Sequence, residues 1–407
     1  MNTRTKLIHS GKDRDPYTGA SSIPIYQTST FAQPDPEHPG PYDYARSGNP
    51  TREALEHSLA LLEGGTHGFA FSSGMAATSS VLLLFKPGDH LVVGQDIYGG
   101  TYRVLTGLFK QWKLDVTFAD STDPESIRKA ITPATRALFV ETPTNPLLHI
   151  TDLQAMVKIA REHTLLAITD NTFMTPYLQR PLELGFDIVV HSATKFLGGH
   201  SDLIAGVAVT REETLGHRLK SIQNAFGAIL GPQDSWLVQR GIKTLGVRMD
   251  AQQKTAGTLA TWLSGHPAVG AVHYPGLKNH PGRAIHESQA SGSGAVISFE
   301  LRGRPEVLKL LKQTQLTLPA VSLGGVESIL SYPAMMSHAA MPRPERLARG
   351  ITDGLVRLSV GLEAADDLIA DLDSALTVTT KKKGDENEQG ICRQLPIHRE
   401  HPAGQIE

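Results

Sequence analysis

One lysine in this sequence stands where an ion pair is hard to build. Lys195 follows the apolar run in "FDIVVHSATKFLGGHSD" (186–202), with Ser, Thr, Gly and His around it rather than acids. A lysine that is partly desolvated and kept in positive surroundings loses proton affinity and becomes a nucleophile, able to hold an aldehyde as a Schiff base. Asp170 ends another apolar run, "LLAITDN" (165–171). A short helical piece, "PLELG", and a further strand return the chain to the same edge, so Asp170 and Lys195 lie at the ends of two strands of one crossover unit. In a parallel sheet those carboxyl ends form the ligand crevice. Taken singly, the acid caps a turn or the two residues form an ion pair. Taken together, they suit a pyridine cofactor, the acid keeping the ring nitrogen protonated and the lysine binding the aldehyde.

Such a cofactor carries a phosphate, and "FAFSSGMAATSSVLLLF" (69–85) offers an anion site. A strand ends at Ser72 and Ser73, Gly74 lets the backbone approach closely, and a helix starts at about Met75, so free N–H groups and the helix dipole face the anion. Tight packing of small residues is the plainer reading of "SSGMAA" alone. No Gly-Lys-Ser/Thr follows, which excludes a Walker A loop. Ser192 and Thr194 flank Lys195 and offer hydroxyls to the same phosphate. Tyr98, in "DIYGGTYR" after another strand, either stacks on a flat ring or is a surface tyrosine. Arg357 sits inside the apolar strand "LVRLSVG", where a guanidinium is costly unless paired. With no acid beside it in sequence, it either clamps a substrate carboxylate or bridges to a distant acid.

The elements that must position these residues follow from the pattern. To about Pro50 the chain is rich in Pro, Gly, Ser and Tyr and reads as an extended arm. "TREALEHSLALLEGG" is an amphipathic helix stopped by Gly64 and Gly65. From there to about Thr210, short strand-like runs ("HGFAFSS", "DHLVVGQ", "LDVTFAD", "RALFVET", "LLAITDN", "FDIVVHS") alternate with helical ones ("GMAATSSVLLLF", "GGTYRVLTGLFKQW", "DPESIRKAI", "LQAMVKIAREH"). That alternation means an α/β fold with a largely parallel sheet covered on both faces. "PQDSWLVQRGIKTLGVRMDAQQKTAGTLATWLS" is one long helix or two broken near Gly246. The remainder mixes strands ("GAVISFEL", "LVRLSVG") with helices ("RPEVLKLLKQ", "ADDLIADLDSAL"). The expected organisation is an arm over 1–50, a large α/β domain over 51–250, a smaller C-terminal α+β domain over 251–378 and a disordered polar tail over 379–407.

Composition narrows the class. The 407 residues exceed one small core; 40% are hydrophobic, and the formal net charge of -2 carries no basic excess for nucleic acid or an anionic membrane. Cys392 is the lone cysteine, so no intrachain disulfide forms. The polar start has no apolar core of signal-peptide length, and the longest apolar runs are too short to span a bilayer, so the cytoplasm is the expected setting. The tail's His residues match no zinc spacing, and no metal is expected. No G-x-G-x-x-G follows the first strand, which speaks against a nicotinamide oxidoreductase.

In order and content, Gly74, Tyr98, Asp170, Lys195 and Arg357 resemble the site of fold type I (aspartate aminotransferase-like) pyridoxal-phosphate (PLP) enzymes. The phrases "YDYARSGNPTREALE", "FSSGMAA", "DIYGGTYR", "VETPTNP", "DNTF", "HSATKFLGGHSD", "SLGGVES" and "RLSVG" resemble the Cys/Met-metabolism family of cystathionine β-lyases, γ-synthases and γ-lyases. The resemblance covers roughly Thr5 to Leu376. Around "AVSLGGVESILSYPAMMSHAAMPRPERLARGITDGLVRLSVG" it is most similar to bacterial cystathionine β-lyases. It implies that Lys195 is the Schiff-base and proton-carrying lysine, that Asp170 partners the pyridinium, and that Tyr98 stacks on the ring and shares the catalytic role. It implies that Gly74 and Met75 bind the phosphate through backbone amides, with Ser192 and Thr194 adding hydroxyls. Tyr44 and Arg46 would reach the phosphate in a neighbouring subunit of a homotetramer, and Arg357, Asn145 and Ser322 would hold the substrate carboxylate. The implied reaction is β-elimination of cystathionine in methionine biosynthesis, with γ-synthase or γ-lyase chemistry as the alternative. Val321 marks the difference, since γ-acting relatives commonly carry glutamate there.

Overall fold

The computed structural model describes residues 1–10, 15, 17–339 and 341–380. Seven short runs form the larger sheet: β1 (His67–Phe71), β2 (His90–Gly94), β3 (Asp115–Ala119), β4 (Thr135–Glu141), β5 (Leu166–Asp170), β6 (Ile188–Ser192) and β7 (Gly206–Thr210). Their order is β1-β7-β6-β5-β4-β2-β3. The run from β6 to β3 is parallel throughout, whereas β7 pairs antiparallel with both β6 and β1. Apolar side chains pack on both faces: Val189, Ala167 and Leu138 on one, Val190, Ile168 and Phe139 on the other. This is the burial expected of a parallel sheet covered by helices on two sides.

Helix α1 (Thr3–His9) departs from the extended arm that the N-terminal composition suggests. Seven residues are too few to show periodicity; the helix is held by its Asn2 cap, by buried Leu7 and by Arg180, which donates to Thr3 at 2.9 Å. Beyond it, no helix or strand of the described residues up to Asn49 interrupts the arm. Helix α2 (Pro50–Glu63) starts where Asn49 accepts from the N–H groups of Thr51 and Arg52, and stops at Gly64, whose φ of 74° suits glycine. Helix α3 (Gly74–Leu82) follows β1, and α4 (Gly99–Val104) widens into a π-helical turn over Leu105–Phe109.

The stretch after β7 makes a helix at Glu213–Phe226, then two more, Pro232–Lys243 and Leu245–Gly265. The break falls at Thr244. Gly246 lies inside the second helix, where a Cβ would come within 3.2 Å of Leu7 and 3.3 Å of Tyr177, so its smallness serves the docking of α1. Position 250, expected as a domain boundary, lies within the helix Leu245–Gly265 and not in a linker. That helix packs under a second sheet of β8 (Ala271–His273), β9 (Val296–Glu300), β10 (Leu318–Pro319), β11 (Ile329–Ser331) and β12 (Leu355–Ser359), ordered β10-β11-β12-β9-β8. Leu259, Leu263, Val307, Leu310, Leu368 and Leu372 close its core. The last helix runs to Thr380, two residues into the stretch expected as tail; 381–407 lie outside the described residues. No helix of the described residues is long and apolar enough to cross a membrane.

Candidate active site

The ends of β4, β5 and β6, the start of α3 and the loop before β11 enclose a cavity of about 460 Å³. Its wall includes Gly74, Met75, Tyr98, Asn145, Asp170, Ser192, Thr194, Lys195, Ser322 and Arg357, all singled out in the sequence. Lys195 lies in the turn that leaves β6. Its Nζ donates to Ser322 Oγ at 2.6 Å, and among the described residues no carboxylate lies within ion-pair distance. Burial, assisted by the charge of Arg357, lowers its pKa to about 8. The amine is therefore partly neutral near pH 8 while remaining aimed into the cavity.

Asp170 ends β5 and accepts the N–H of Thr172 at 2.9 Å. Burial raises its proton affinity, and the Thr172 hydrogen bonds and the charge of His191 oppose that rise. Its register partner on β4 is Glu141, a buried carboxyl in the same wall. Burial, then the charge of Asp170, holds Glu141 well above the usual carboxylate range. Glu141 accepts the N–H of Tyr98 at 2.9 Å, which fixes the start of α4. The sequence signal for Glu141 was present: "FVET" ends an apolar strand with an acid, as "AITD" does.

The anion cradle is set by close backbone packing. Ser73 caps α3 by accepting from Ala76, and the first helical N–H groups, at Gly74 and Met75, have no acceptor inside the helix. A Cβ on Gly74 would stand 2.9 Å from that of Ser192, and one on Gly206 would lie 1.9 Å from the Ser73 carbonyl oxygen. Only glycine fits either place. The Thr194 hydroxyl is engaged with the backbone of Ala205, donating to its carbonyl at 3.2 Å and accepting its N–H at 3.0 Å.

Arg357, on β12, is buried without an acid among its contacts in the described residues. It donates to Asn145 Oδ1 at 2.8 Å, to the Ser322 carbonyl at 2.7 Å and to Ser331 Oγ at 3.1 Å. Its Nε has no partner among the described residues, and burial lowers its pKa to about 10. The distant-acid reading of this arginine is therefore not the one the fold adopts. A guanidinium so placed, with no carboxylate within ion-pair distance among the described residues, is ready for one from a ligand.

Tyr44 and Arg46 are not brought to this cavity. Tyr44 is 47% exposed, and Arg46 donates to the Asn224 carbonyl at 2.6 Å and lies over the Tyr44 ring at 5.7 Å. Buried Arg52 holds their loop by donating to the Ala45 and Arg46 carbonyls at 2.8 and 3.1 Å. Sequence reasoning also passed over Arg103, Phe173, Met336 and Ser337, which line the cavity. Arg103 lies in the same "YGGTYR" phrase as Tyr98, whereas Met336 and Ser337 reach the wall only through tertiary folding.

An acid, a lowered lysine and a glycine cradle facing one hollow fit a phosphate-bearing pyridine aldehyde. The comparisons agree. The family model for Cys/Met metabolism PLP-dependent enzymes matches residues 4–377. The chain is 56% identical over 372 residues to cystathionine beta-lyase MetC of Bacillus subtilis (strain 168), covering 91% of this chain and 95% of that one. It is 52% identical over 377 residues to cystathionine gamma-lyase of the same organism, covering 92% and 99%. Among solved structures it superposes on cystathionine gamma-lyase from Lactobacillus plantarum complexed with L-serine with a TM-score of 0.90 at 49% identity, covering 93% of this chain and 99% of that one. A match along nearly the whole chain, over the sheet edge where lysine, acid and cradle meet, places it among the Cys/Met metabolism enzymes of fold type I, as a carbon–sulfur lyase that uses pyridoxal phosphate.

Proposed function

We propose that the chain is a cystathionine β-lyase, converting L-cystathionine and water into homocysteine, pyruvate and ammonia. The observation that carries the choice is Val321. It lines the cavity and is 64% exposed, so the wall beside Ser322 is apolar where a carboxylate would draw the distal ammonium of a γ-substrate. A γ-lyase is the second reading, supported by the 52% identity to such an enzyme.

When bound, pyridoxal phosphate supplies an aldehyde that condenses with amines and a ring that takes up the electron pair left by a departing Cα proton. Lys195 would be the residue that holds the aldehyde, and its Nζ would serve as the general base for the substrate Cα proton. Asp170 would keep the ring nitrogen protonated, and Tyr98 would offer its ring for stacking. The N–H groups of Gly74 and Met75, with the Ser192 hydroxyl, would hold the phosphate, and Thr194 would add its hydroxyl by turning its proton from the Ala205 carbonyl. Arg357 and Asn145 grip the substrate α-carboxylate, and Ser322 holds Lys195 beside it. When the Cβ–S bond breaks, its electron pair leaves on sulfur, and Lys195 or Tyr98 returns a proton to the thiolate. Tyr44 and Arg46 complete the phosphate site of a neighbouring copy, which makes the working form at least a dimer and, by this reading, a cytoplasmic homotetramer of two dimers.

The test is the identity of the keto acid formed from L-cystathionine by the purified holoenzyme. Pyruvate with homocysteine is expected. Predominant 2-oxobutyrate with cysteine, or efficient cystathionine synthesis from an O-acylhomoserine and cysteine, would overturn the assignment.

A further inference from the structure

Behind the strand ends that carry the site, the reverse face of the larger sheet holds an acid and an imidazole with no part in the reaction. Glu63, the last residue of α2, receives His191 Nε2 at 2.6 Å and Asn171 Nδ2 at 3.0 Å on one carboxylate oxygen. All three side chains are buried. Gln179 closes the group: its Nε2 donates to Asn171 Oδ1 at 3.0 Å, and its carbonyl accepts from Asn171 Nδ2 at 2.8 Å.

The placement of this group is informative. His191 directly precedes Ser192, and Asn171 directly follows Asp170. Side chains alternate across a strand, so each lies on the face opposite its neighbour in the site. Glu63 therefore ties the ends of β5 and β6 together from behind. In front, the Thr172 hydroxyl accepts the Ser192 N–H at 2.8 Å while the Thr172 N–H reaches Asp170. Asp170 is bracketed by both ties.

As packing alone, the pair is a poor choice. Among the described residues, Glu63 Oε2 and His191 Nδ1 are buried without hydrogen-bond partners. The carboxylate also stands at the C-terminal end of a helix, where the dipole disfavours negative charge. Two apolar side chains of similar volume would often give equal or greater stability.

We propose that Glu63 and His191 are a positioning pair for Asp170, fixing its carboxylate against the pyridine nitrogen from the reverse face of the sheet and setting the charge behind it. This rests on the placement of Asp170 proposed above. The charge of His191 favours the ionised form of Asp170, against the burial that favours the neutral one.

The test uses Glu63→Gln and His191→Gln in the full chain, with Asp170→Asn as reference, each reconstituted with pyridoxal phosphate. The readouts are the cofactor dissociation constant, the visible absorbance and circular dichroism of the bound cofactor, and the apo melting temperature. Both variants are expected to bind the cofactor about tenfold more weakly, within the range for residues sharing one hydrogen-bond network. Their visible band should shift in the direction seen for Asp170→Asn, with the apo melting temperature retained. Unchanged affinity and band with a lowered melting temperature would reduce the pair to a structural element and overturn the proposal. An unchanged band in Asp170→Asn would instead overturn the placement of Asp170 on which it rests. If both single variants aggregate, Glu63→Met/His191→Phe restores an apolar match. Weakened affinity with a shifted band in that double variant supports the proposal, and wild-type affinity there overturns it.

Discussion

Lys195 and Tyr44 make opposite use of their surroundings. Lys195 sits at a strand end, half-buried in the cavity wall, with its amine bonded to Ser322 and its proton loosened by partial desolvation. Tyr44 stands on the arm, nearly half exposed, with its neighbour Arg46 bonded to a backbone carbonyl outside the cavity. The strand-end region brings lysine, acid, cradle and arginine together within one copy of the chain. The arm region holds a basic and an aromatic side chain in a fixed loop, backed by buried Arg52, yet presents them outward. Side chains presented away from their own site are what the proposed sharing of sites between copies requires.

The largest effect should come from the strand-end region. Lys195→Ala is expected to abolish lyase turnover while the protein still folds and binds pyridoxal phosphate non-covalently. Borohydride treatment followed by mass measurement should find the cofactor attached to the wild-type chain and not to the variant. Lys195→Arg should be equally inactive, because a guanidinium stays protonated. Substantial turnover in either variant would end the assignment of Lys195.

The arm is tested by mixing subunits. Arg46→Ala should lose most activity by weakening phosphate binding, and Lys195→Ala loses it by another route. If sites are shared between copies, exchanged dimers carry one intact site and activity returns to about a quarter or less of wild type, a fraction set by random pairing of symmetric C2 subunits. No recovery after demonstrated exchange would place both sets of residues in the same copy and erase the contrast.

A smaller effect concerns pH. With a pKa of about 8, the neutral fraction of Lys195 in the apo-enzyme rises with pH. The rate of covalent reconstitution, read from the visible band, should increase about fivefold from pH 7 to pH 8 and less than twofold from 8 to 9, by simple titration. An ordinary lysine would keep gaining across that range. The linked stability has a definite sign. The unfolded lysine, at its ordinary 10.5, holds more protons than the folded one between about pH 8 and 10.5, so this group's contribution to apo stability rises with pH across that window. A reconstitution rate still climbing tenfold per unit above pH 9 would contradict the lowered pKa.

The smallest change is at the rim. Val321→Glu should move product from pyruvate toward 2-oxobutyrate with cystathionine, while leaving cofactor binding within about twofold, the scale of a substitution at an exposed position. Keto-acid identification after complete turnover reads the shift, and an unchanged product ratio would remove Val321 as the determinant.

Much of this was legible in the sequence because strand ends announce themselves. An apolar run stopped by Asp170, or followed within a few residues by Lys195, combines a buried element and a polar residue in one readable phrase. Arg357 was legible for the converse reason, a charge inside an apolar strand. Other features depend on pairings that no local window contains. The antiparallel insertion of β7 depends on which neighbours it finds, and β8, β10 and β11 are two or three residues long, below any period. Helix α1 is stable through docking at Leu7, not through its own pattern. Glu63 reads as a helix-end acid and His191 as a core histidine until the fold sets them 2.6 Å apart. Glu141 carried the same signal as Asp170, and nothing local ranked one acid above the other.

The helix Leu245–Gly265 has a mechanical consequence. Arg248 donates to the Phe196 carbonyl, next to Lys195, at 2.8 Å. One turn further along the same face, Gln252 donates to the Gly325 carbonyl at 2.7 Å and the Val360 carbonyl at 3.1 Å, behind the loop that carries Ser322. Both jaws of the cavity are thus bolted to adjacent turns of a single beam, about 6 Å apart along its axis. The gap across which Lys195 meets Ser322 is gauged by the pitch of one helix, so it acts as a fixed calliper: closing or widening it requires bending that beam or breaking one of its bolts.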